Sequence, residues 1–176
     1  MFLSFSDGDG AMNQSTLAVS AEIGVVFPPI EEIIPHRGTM LLLDAVDACS
    51  DETLTAYATV RAGAWYADAD GAMPAWIGVE LMAQAIAAHV GLLTMRAGQP
   101  ARPGVLLGTR CYAAHRDAFG PGAPLRVTAS ELLRSEQGHG AYQCTIGRDG
   151  ELYAEATVKV YQPRDFQTFI EEHSRS

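Results

Sequence analysis

The longest apolar stretch of the chain, residues 76–96, predicts a buried helix. Its sequence, WIGVELMAQAIAAHVGLLTMR, is rich in alanine, leucine and methionine, which are strong helix formers. Apolar residues occur nearly all round this helix, a pattern typical of a helix that other elements enclose. Gly98 and Pro100 follow the stretch and are expected to end it.

Alternating apolar and polar residues predict strands on both sides of this helix. A short helix is expected first, over residues 30–34 between two prolines. Asp149-Gly150 separates two of the later alternating runs and is a strong hairpin signal. The predicted strands span residues 40–47 and 53–61 before a loop at 64–73, and residues 105–113, 125–133, 140–148 and 152–161 after the long helix.

This order of elements predicts an α+β domain in which an antiparallel sheet wraps around one long central helix. The chain has 176 residues, which is enough for one such core. We expect a flexible N-terminal leader at residues 1–24, the domain at 25–162, and a polar C-terminal tail at 163–176 that can form a short helix.

Composition and charge narrow the classes of function. The formal net charge of −9 argues against binding nucleic acid, which needs a basic surface. Cys49, Cys111 and Cys144 show neither paired nor metal-ligand spacing, so we expect reduced thiols and no metal site. No stretch is expected to be long and apolar enough, at about 18 residues, to cross a membrane. The N terminus lacks the charge pattern of a signal peptide, so the cytoplasm is the expected location.

Four segments resemble the hotdog-fold 3-hydroxyacyl-(acyl-carrier-protein) dehydratases, over roughly residues 27–161. Residues 34–44 hold IPHR and MLLLD, similar to that family's LPHR…LLVD opening. Residues 73–74, Met-Pro, are similar to the loop that enters the family's central helix, and residues 80–84, ELMAQ, to its EALAQ motif. The GPG turn at residues 120–122 is similar to the family's PGD turn. The stretch PAWIGVELMAQAIAAH most resembles the dehydratase-like (ApeP-type) proteins of aryl-polyene clusters.

The resemblance implies a hotdog fold, no cofactor, and a site around Glu80. Dehydration of a 3-hydroxyacyl thioester needs a base for the proton next to the carbonyl, an acid for the leaving hydroxyl, and donors for the enolate-like oxygen. Glu80 interrupts an apolar helix, where burial would favour its protonated form and suit it as the acid. The alternative is an exposed glutamate of the first helical turn, stabilised by the helix dipole.

Three further residues of this helix are candidates for substrate binding. Gln84 lies one turn after Glu80 and is expected to orient that carboxylate, to bind substrate, or to bond a facing strand. By resemblance to the family, backbone N–H groups near Trp76 and Ile77 are expected to hold the thioester oxygen.

The identity of the base stays open at this point. The family's catalytic histidine lies in a GHFPG loop, fourteen residues before the helix glutamate, and that position here is Tyr66. A phenol is a poor base at neutral pH, so Tyr66 is better cast as a donor. His36 is the nearest upstream histidine and could be the base, or could fix a loop by hydrogen bonds. Asp68 and Asp70 could supply a carboxylate, or could simply form a turn.

Three functions therefore remain in competition. The first is a dehydratase that acts on a thioester of an acyl-carrier protein or of coenzyme A, in fatty-acid or polyketide type biosynthesis. The second is a non-catalytic hotdog subunit that pairs with an active homologue, and the third is an acyl thioesterase. The resemblance also implies a homodimer or larger even oligomer. Because carrier proteins are acidic, docking would need a local positive patch, with Arg102, Arg110 and Arg116 as candidates.

Overall fold

The computed structural model describes residues 26–100, 102–122, 124–163 and 165–173. A six-stranded antiparallel sheet packs against one long helix, in the strand order β1-β2-β6-β7-β8-β4. The predicted leader, residues 1–24, lies outside the described residues. The strands are β1 Ala45–Cys49, β2 Thr53–Ala58, β3 Met73–Pro74, β4 Val105–Ala114, β5 Ala118–Phe119, β6 Leu125–Arg134, β7 His139–Arg148 and β8 Glu151–Tyr161; the helices are α1 Ile30–Ile33, α2 Gly78–Arg96 and α3 Phe166–His173.

The core lies between α2 and the inner face of the sheet. Leu81 and Met82 of α2 are fully buried, as are Val127 of β6 and Ile146 of β7. Buried residues alternate along β6, β7 and β8, so one face of each strand packs inward. Each fully buried leucine, isoleucine or methionine contributes about 1.5–3 kcal/mol relative to an exposed one. This packing confirms the central helix and the four strands predicted after it.

Two glycines allow α2 to approach its neighbours closely. A Cβ at Gly78 would lie 2.5 Å from the hydroxyl oxygen of Tyr112, and one at Gly91 would lie 2.6 Å from the carbonyl oxygen of Ile33. A side chain at Gly78 would therefore displace the side chain of Tyr112, and one at Gly91 would push the backbone of α1 away from the helix.

The strand predicted over residues 40–47 is wrong in its first half. Gly38–Met40 form a 3-10 turn, and β1 begins only at Ala45. Leu42 and Leu43 are buried as a strand would bury them, but they lie outside the sheet. Strands β3 and β5 were not predicted; they pair with each other at the entry to α2, where residues 64–73 were expected to form a loop.

The expectation that no stretch is long and apolar enough to cross a membrane is also wrong. By length and composition the helical segment Ala75–Arg96 qualifies. In the structure 61% of its apolar window is buried inside the protein, because the sheet covers the helix. A buried core helix passes the same test, so this segment is weak evidence of a membrane span.

Candidate functional site

A groove of about 510 Å³ runs along one face of α2. The helix contributes a polar residue, Glu80, and then a stripe of small or apolar residues that includes Ala83, Ala87 and Val90. The opposite walls come from the segment around α1 and from the two chain segments where β4 begins and β8 ends. Those wall residues include Ile33, Ile34, Pro35, His36, Arg37, Gly104, Val105, Leu106, Val160 and Tyr161.

Gln84 is fully buried beneath the groove and uses its whole side-chain amide. Its Oε1 accepts the backbone N–H groups of Leu42, at 3.0 Å, and of Leu43, at 3.4 Å. Its Nε2 donates to the carbonyl of Met40, at 2.7 Å, and to Oε1 of Glu80, at 2.8 Å. Gln84 therefore ties the loop before β1 to α2 and also orients the Glu80 carboxylate.

Glu80 lies on the groove wall and is less buried than the apolar helix around it suggested. Its side chain keeps 33% exposure, and its Oε1 lies 3.4 Å from Nε2 of His36. The structure thus brings together Glu80, Gln84 and His36, three of the residues chosen from the sequence. A carboxylate in this position can exchange a proton with a molecule in the groove.

His36 is held by its neighbours in the loop. The guanidinium of Arg37 donates to the carbonyl oxygens of Ile34 and His36, both at 2.7 Å. Nδ1 of His36 is buried and has no hydrogen-bond partner among the described residues. The imidazole therefore presents Nε2, and only Nε2, to the carboxylate.

Tyr66 does not join this group. Its ring is buried, with 8% exposure, and its hydroxyl accepts the backbone N–H of Arg61 at 3.1 Å. It is absent from the groove wall of the described chain. Counting along the sequence placed it at the family's base position, but in this chain its hydroxyl is engaged with its own loop.

The other candidates also lie outside the groove wall. Trp76 is 67% exposed and Ile77 is buried, in the 3-10 turn that precedes α2. Oδ1 of Asp68 accepts the backbone N–H groups of Asp70 and Ala72, which is the turn role foreseen as the alternative. Among the described residues, no group of three or more His, Cys, Asp or Glu side chains could hold a metal ion.

A buried polar cluster at the far half of α2 was not predicted from the sequence. His89 is fully buried; Nε2 lies 3.1 Å from the carbonyl of Ser50, and Nδ1 lies 3.4 Å from the hydroxyl of Tyr142. Tyr142 in turn donates to Glu131, which pairs with Arg134. Burial lowers the pKa of His89 and raises the pKa of Tyr142. No local signal could have revealed these contacts, because their partners lie 39 and 53 residues away from His89.

Comparison with known proteins places this chain in a family. The ApeP-like family model, described as ApeP dehydratase, matches residues 28–171. The chain is similar to the dehydratase heterocomplex ApeI:P from Xenorhabdus doucetiae, with 27% identity and a TM-score of 0.78 over 83% of this chain and 97% of that one.

Two further solved structures share the fold at lower identity. The TT0310 protein from Thermus thermophilus is 22% identical, with a TM-score of 0.54 over 72% of this chain and 99% of that one. A mutant of the phenylacetic acid degradation protein PaaI from the same organism is 24% identical, with a TM-score of 0.53 over 69% of this chain and 94% of that one. No curated protein matches the sequence. The chain belongs to the ApeP-like dehydratase family and has the hotdog fold.

Proposed function

We propose that this chain works as a 3-hydroxyacyl-thioester dehydratase on acyl chains bound to an acyl-carrier protein, in fatty-acid or polyketide type biosynthesis. The observation that carries the proposal is Glu80, held by Gln84 on the wall of a groove, in a chain of the ApeP-like dehydratase family. The stripe beyond Glu80 suits an acyl chain, because Ala83, Ala87 and Val90 offer it small or apolar side chains.

In the proposed dehydration, Glu80 acts as the acid. A base takes the proton next to the thioester carbonyl, the electrons of that C–H bond become the new C=C bond, and the hydroxyl leaves as water with the proton from Glu80. The base is an imidazole, either His36 of this chain or a histidine of a paired hotdog chain. Trp76 and Ile77 do not line the groove of this chain, and by resemblance to the family we keep the backbone N–H groups of their 3-10 turn as candidates for binding the thioester oxygen.

A second hotdog chain would complete this site. Strand β4 is an edge of the sheet, paired on one side with β8, and it exposes Leu106 and Leu107. Val105 and Leu106 also line the groove, so a chain that pairs with β4 would lie beside the groove that contains Glu80. The similar structure from Xenorhabdus doucetiae is a dehydratase heterocomplex, which favours an active homologue as the partner. A homodimer is the other outcome of the same test.

A carrier protein would dock through arginines near the groove. Arg102 lines the groove and Arg110 lies exposed on β4, so both remain candidates. Arg116 forms an ion pair with Glu151, which leaves it less available to an acidic partner. Reversing the charge of Arg102 and Arg110 should weaken carrier binding in a salt-dependent way.

Thioester hydrolysis is the second candidate, since hotdog proteins similar in fold include thioesterases. Those structures are 15% and 16% identical, so they support the fold alone. Asp68, the carboxylate that could have activated water from the loop, is already bonded within its turn. We therefore favour dehydration, the reaction in which Glu80 would act as the acid.

The test is an assay of the full chain, alone and mixed with a hotdog homologue from the same organism, on a 3-hydroxyacyl thioester. We expect reversible formation of the enoyl thioester, and a loss of about 10²–10⁴-fold in Glu80→Gln. Glu155→Gln is the matched control, because Glu155 pairs with His115 away from the groove and should keep full activity. Hydrolysis of the thioester, or inert wild type in both settings, would contradict the proposal.

A further inference from the structure

We propose that the two carboxylate oxygens of Glu80 have different tasks and that His36 is a positioning residue. Oε1 is the held oxygen, fixed by Gln84 and faced by an N–H of His36, whereas Oε2 exchanges the proton with substrate. This inference rests on the proposed function and assigns a role to each oxygen of Glu80 and to His36. It also removes His36 from the possible bases.

The orientation of the Gln84 amide fixes the role of Oε1. Two backbone N–H groups point at one end of this amide, so that end must be the oxygen. The other end donates to the carbonyl of Met40, so it must be the NH₂ group. That NH₂ group also reaches Oε1 of Glu80, at 2.8 Å. Oε1 is therefore an acceptor, and a proton on Glu80 belongs on Oε2.

The same oxygen faces the imidazole of His36. Nε2 lies 3.4 Å from Oε1, longer than a formed hydrogen bond, but such contacts in free enzymes often tighten when substrate binds. Oε1 carries lone pairs, so the favourable tautomer places the proton on Nε2. The other tautomer would set the lone pair of Nε2 against the lone pairs of Oε1, whereas Nδ1 lacks a partner among the described residues in either tautomer.

The way His36 is anchored agrees with a positioning role. A catalytic histidine usually has its second nitrogen oriented by a hydrogen bond, and Nδ1 of His36 has none among the described residues. Instead Arg37 holds the backbone, through the carbonyls of Ile34 and His36. This arrangement restrains the backbone that carries the ring, and it leaves Nδ1 without a hydrogen-bond partner in the described chain to which a proton could pass.

Oε2 is the oxygen left to react. No hydrogen bond or ion pair involves it within the described chain, and Glu80 lines the groove. Because Gln84 already restrains Oε1, the carboxyl group of Glu80 need not reorient when Oε2 transfers a proton to a substrate hydroxyl.

Two substitutions of His36 separate a donor from a base. His36→Gln keeps an N–H near the position of Nε2 but cannot take a proton at neutral pH, and His36→Leu keeps neither. We expect His36→Gln to retain activity within about tenfold, because one hydrogen bond to Oε1 is preserved. We expect His36→Leu to lose about 10–100-fold. Equal losses of about 10²–10⁴-fold in both variants would show that His36 is a base and would overturn the inference.

A second measurement does not depend on turnover. Nitrogen NMR of the full chain at neutral pH, with the His36 signals assigned by their absence in His36→Gln, reports which ring nitrogen carries the proton. A proton on Nε2 is the expected result, and a proton on Nδ1 would overturn the inference. An inert protein with the proton on Nε2 would support the role of His36 while contradicting the proposed function.

Discussion

The buried amide of Gln84 holds the carboxylate of Glu80 at 2.8 Å, one turn earlier on the same helix. The same amide satisfies the backbone of the loop before β1, at Met40, Leu42 and Leu43. A single side chain thus joins the stability of the fold to the geometry of the site.

Replacing Gln84 with methionine, which has a similar shape, should lower the free energy of unfolding by about 2–4 kcal/mol, because buried backbone groups at Met40 and Leu42 lose their partner. Chemical denaturation measures this change. Gln143→Met is the control; Gln143 is only partly buried and accepts one side-chain bond, from Thr157, so we expect a cost below about 1 kcal/mol. Equal costs for both variants would contradict the role given to Gln84.

Tyr66→Phe should change activity far less than Glu80→Gln does. The phenol accepts one backbone N–H from Arg61 and does not line the groove of the described chain. Its removal should cost about 1 kcal/mol of stability, and activity should fall by less than about tenfold. Rates and unfolding curves measured side by side test this. A loss as large as that of Glu80→Gln would mean that Tyr66 meets substrate in the assembled protein.

The protein should lose stability as the pH falls below about 6.5, the ordinary pKa of histidine. Burial lowers the pKa of His89 in the folded state, with Arg134 acting in the same direction. The unfolded chain therefore binds a proton first, so the stability contributed by neutral His89 is complete above the unfolded pKa and is lost as the pH drops below it.

Unfolding measured from about pH 8 down to about pH 5 should show this loss in the wild type and a weaker one in His89→Gln. His139→Gln is a suitable control, because His139 is exposed. An identical pH dependence in wild type and His89→Gln would exclude His89 as the cause.

Gly91→Ala should destabilise the protein by about 1–3 kcal/mol, because the new methyl group would lie 2.6 Å from the carbonyl oxygen of Ile33 and neither backbone can yield easily. Gly63→Ala, where the methyl group meets nothing within 4 Å, should be neutral. Thermal unfolding of the two variants gives the comparison, and a neutral Gly91→Ala would show that α1 can shift without cost.

Local patterns predicted most of the fold and part of the site. The apolar stretch predicted α2, and alternation predicted the strands from Val105 onward, because both signals lie within a single element. Leu42 and Leu43 misled the same reasoning: they are buried, but a glutamine more than 40 residues away, and not a strand, satisfies their N–H groups. A two-residue strand such as β5 is too short for any period to appear.

The site was predictable only where the residues share a helix. Glu80 and Gln84 are one turn apart, so their contact follows from helix geometry. The approach of His36 to Glu80 depends on how α1 packs against α2, which no spacing encodes. Tyr66 shows that a matching position in the sequence can mislead. It occupies the position of the family's catalytic histidine, but its hydroxyl accepts a hydrogen bond from the backbone N–H of Arg61.

Strand β4 is at once a free edge of the sheet and a wall of the groove, with Val105 and Leu106 serving both surfaces. If the protein pairs along this edge, the same few side chains determine which partner subunit binds and which acyl chain fits the groove. A substitution that changes the preference for a partner subunit, in evolution or in design, would then also change the preference for the acyl substrate. Exchanging the companion would amount to reshaping the space in which the acyl chain is held.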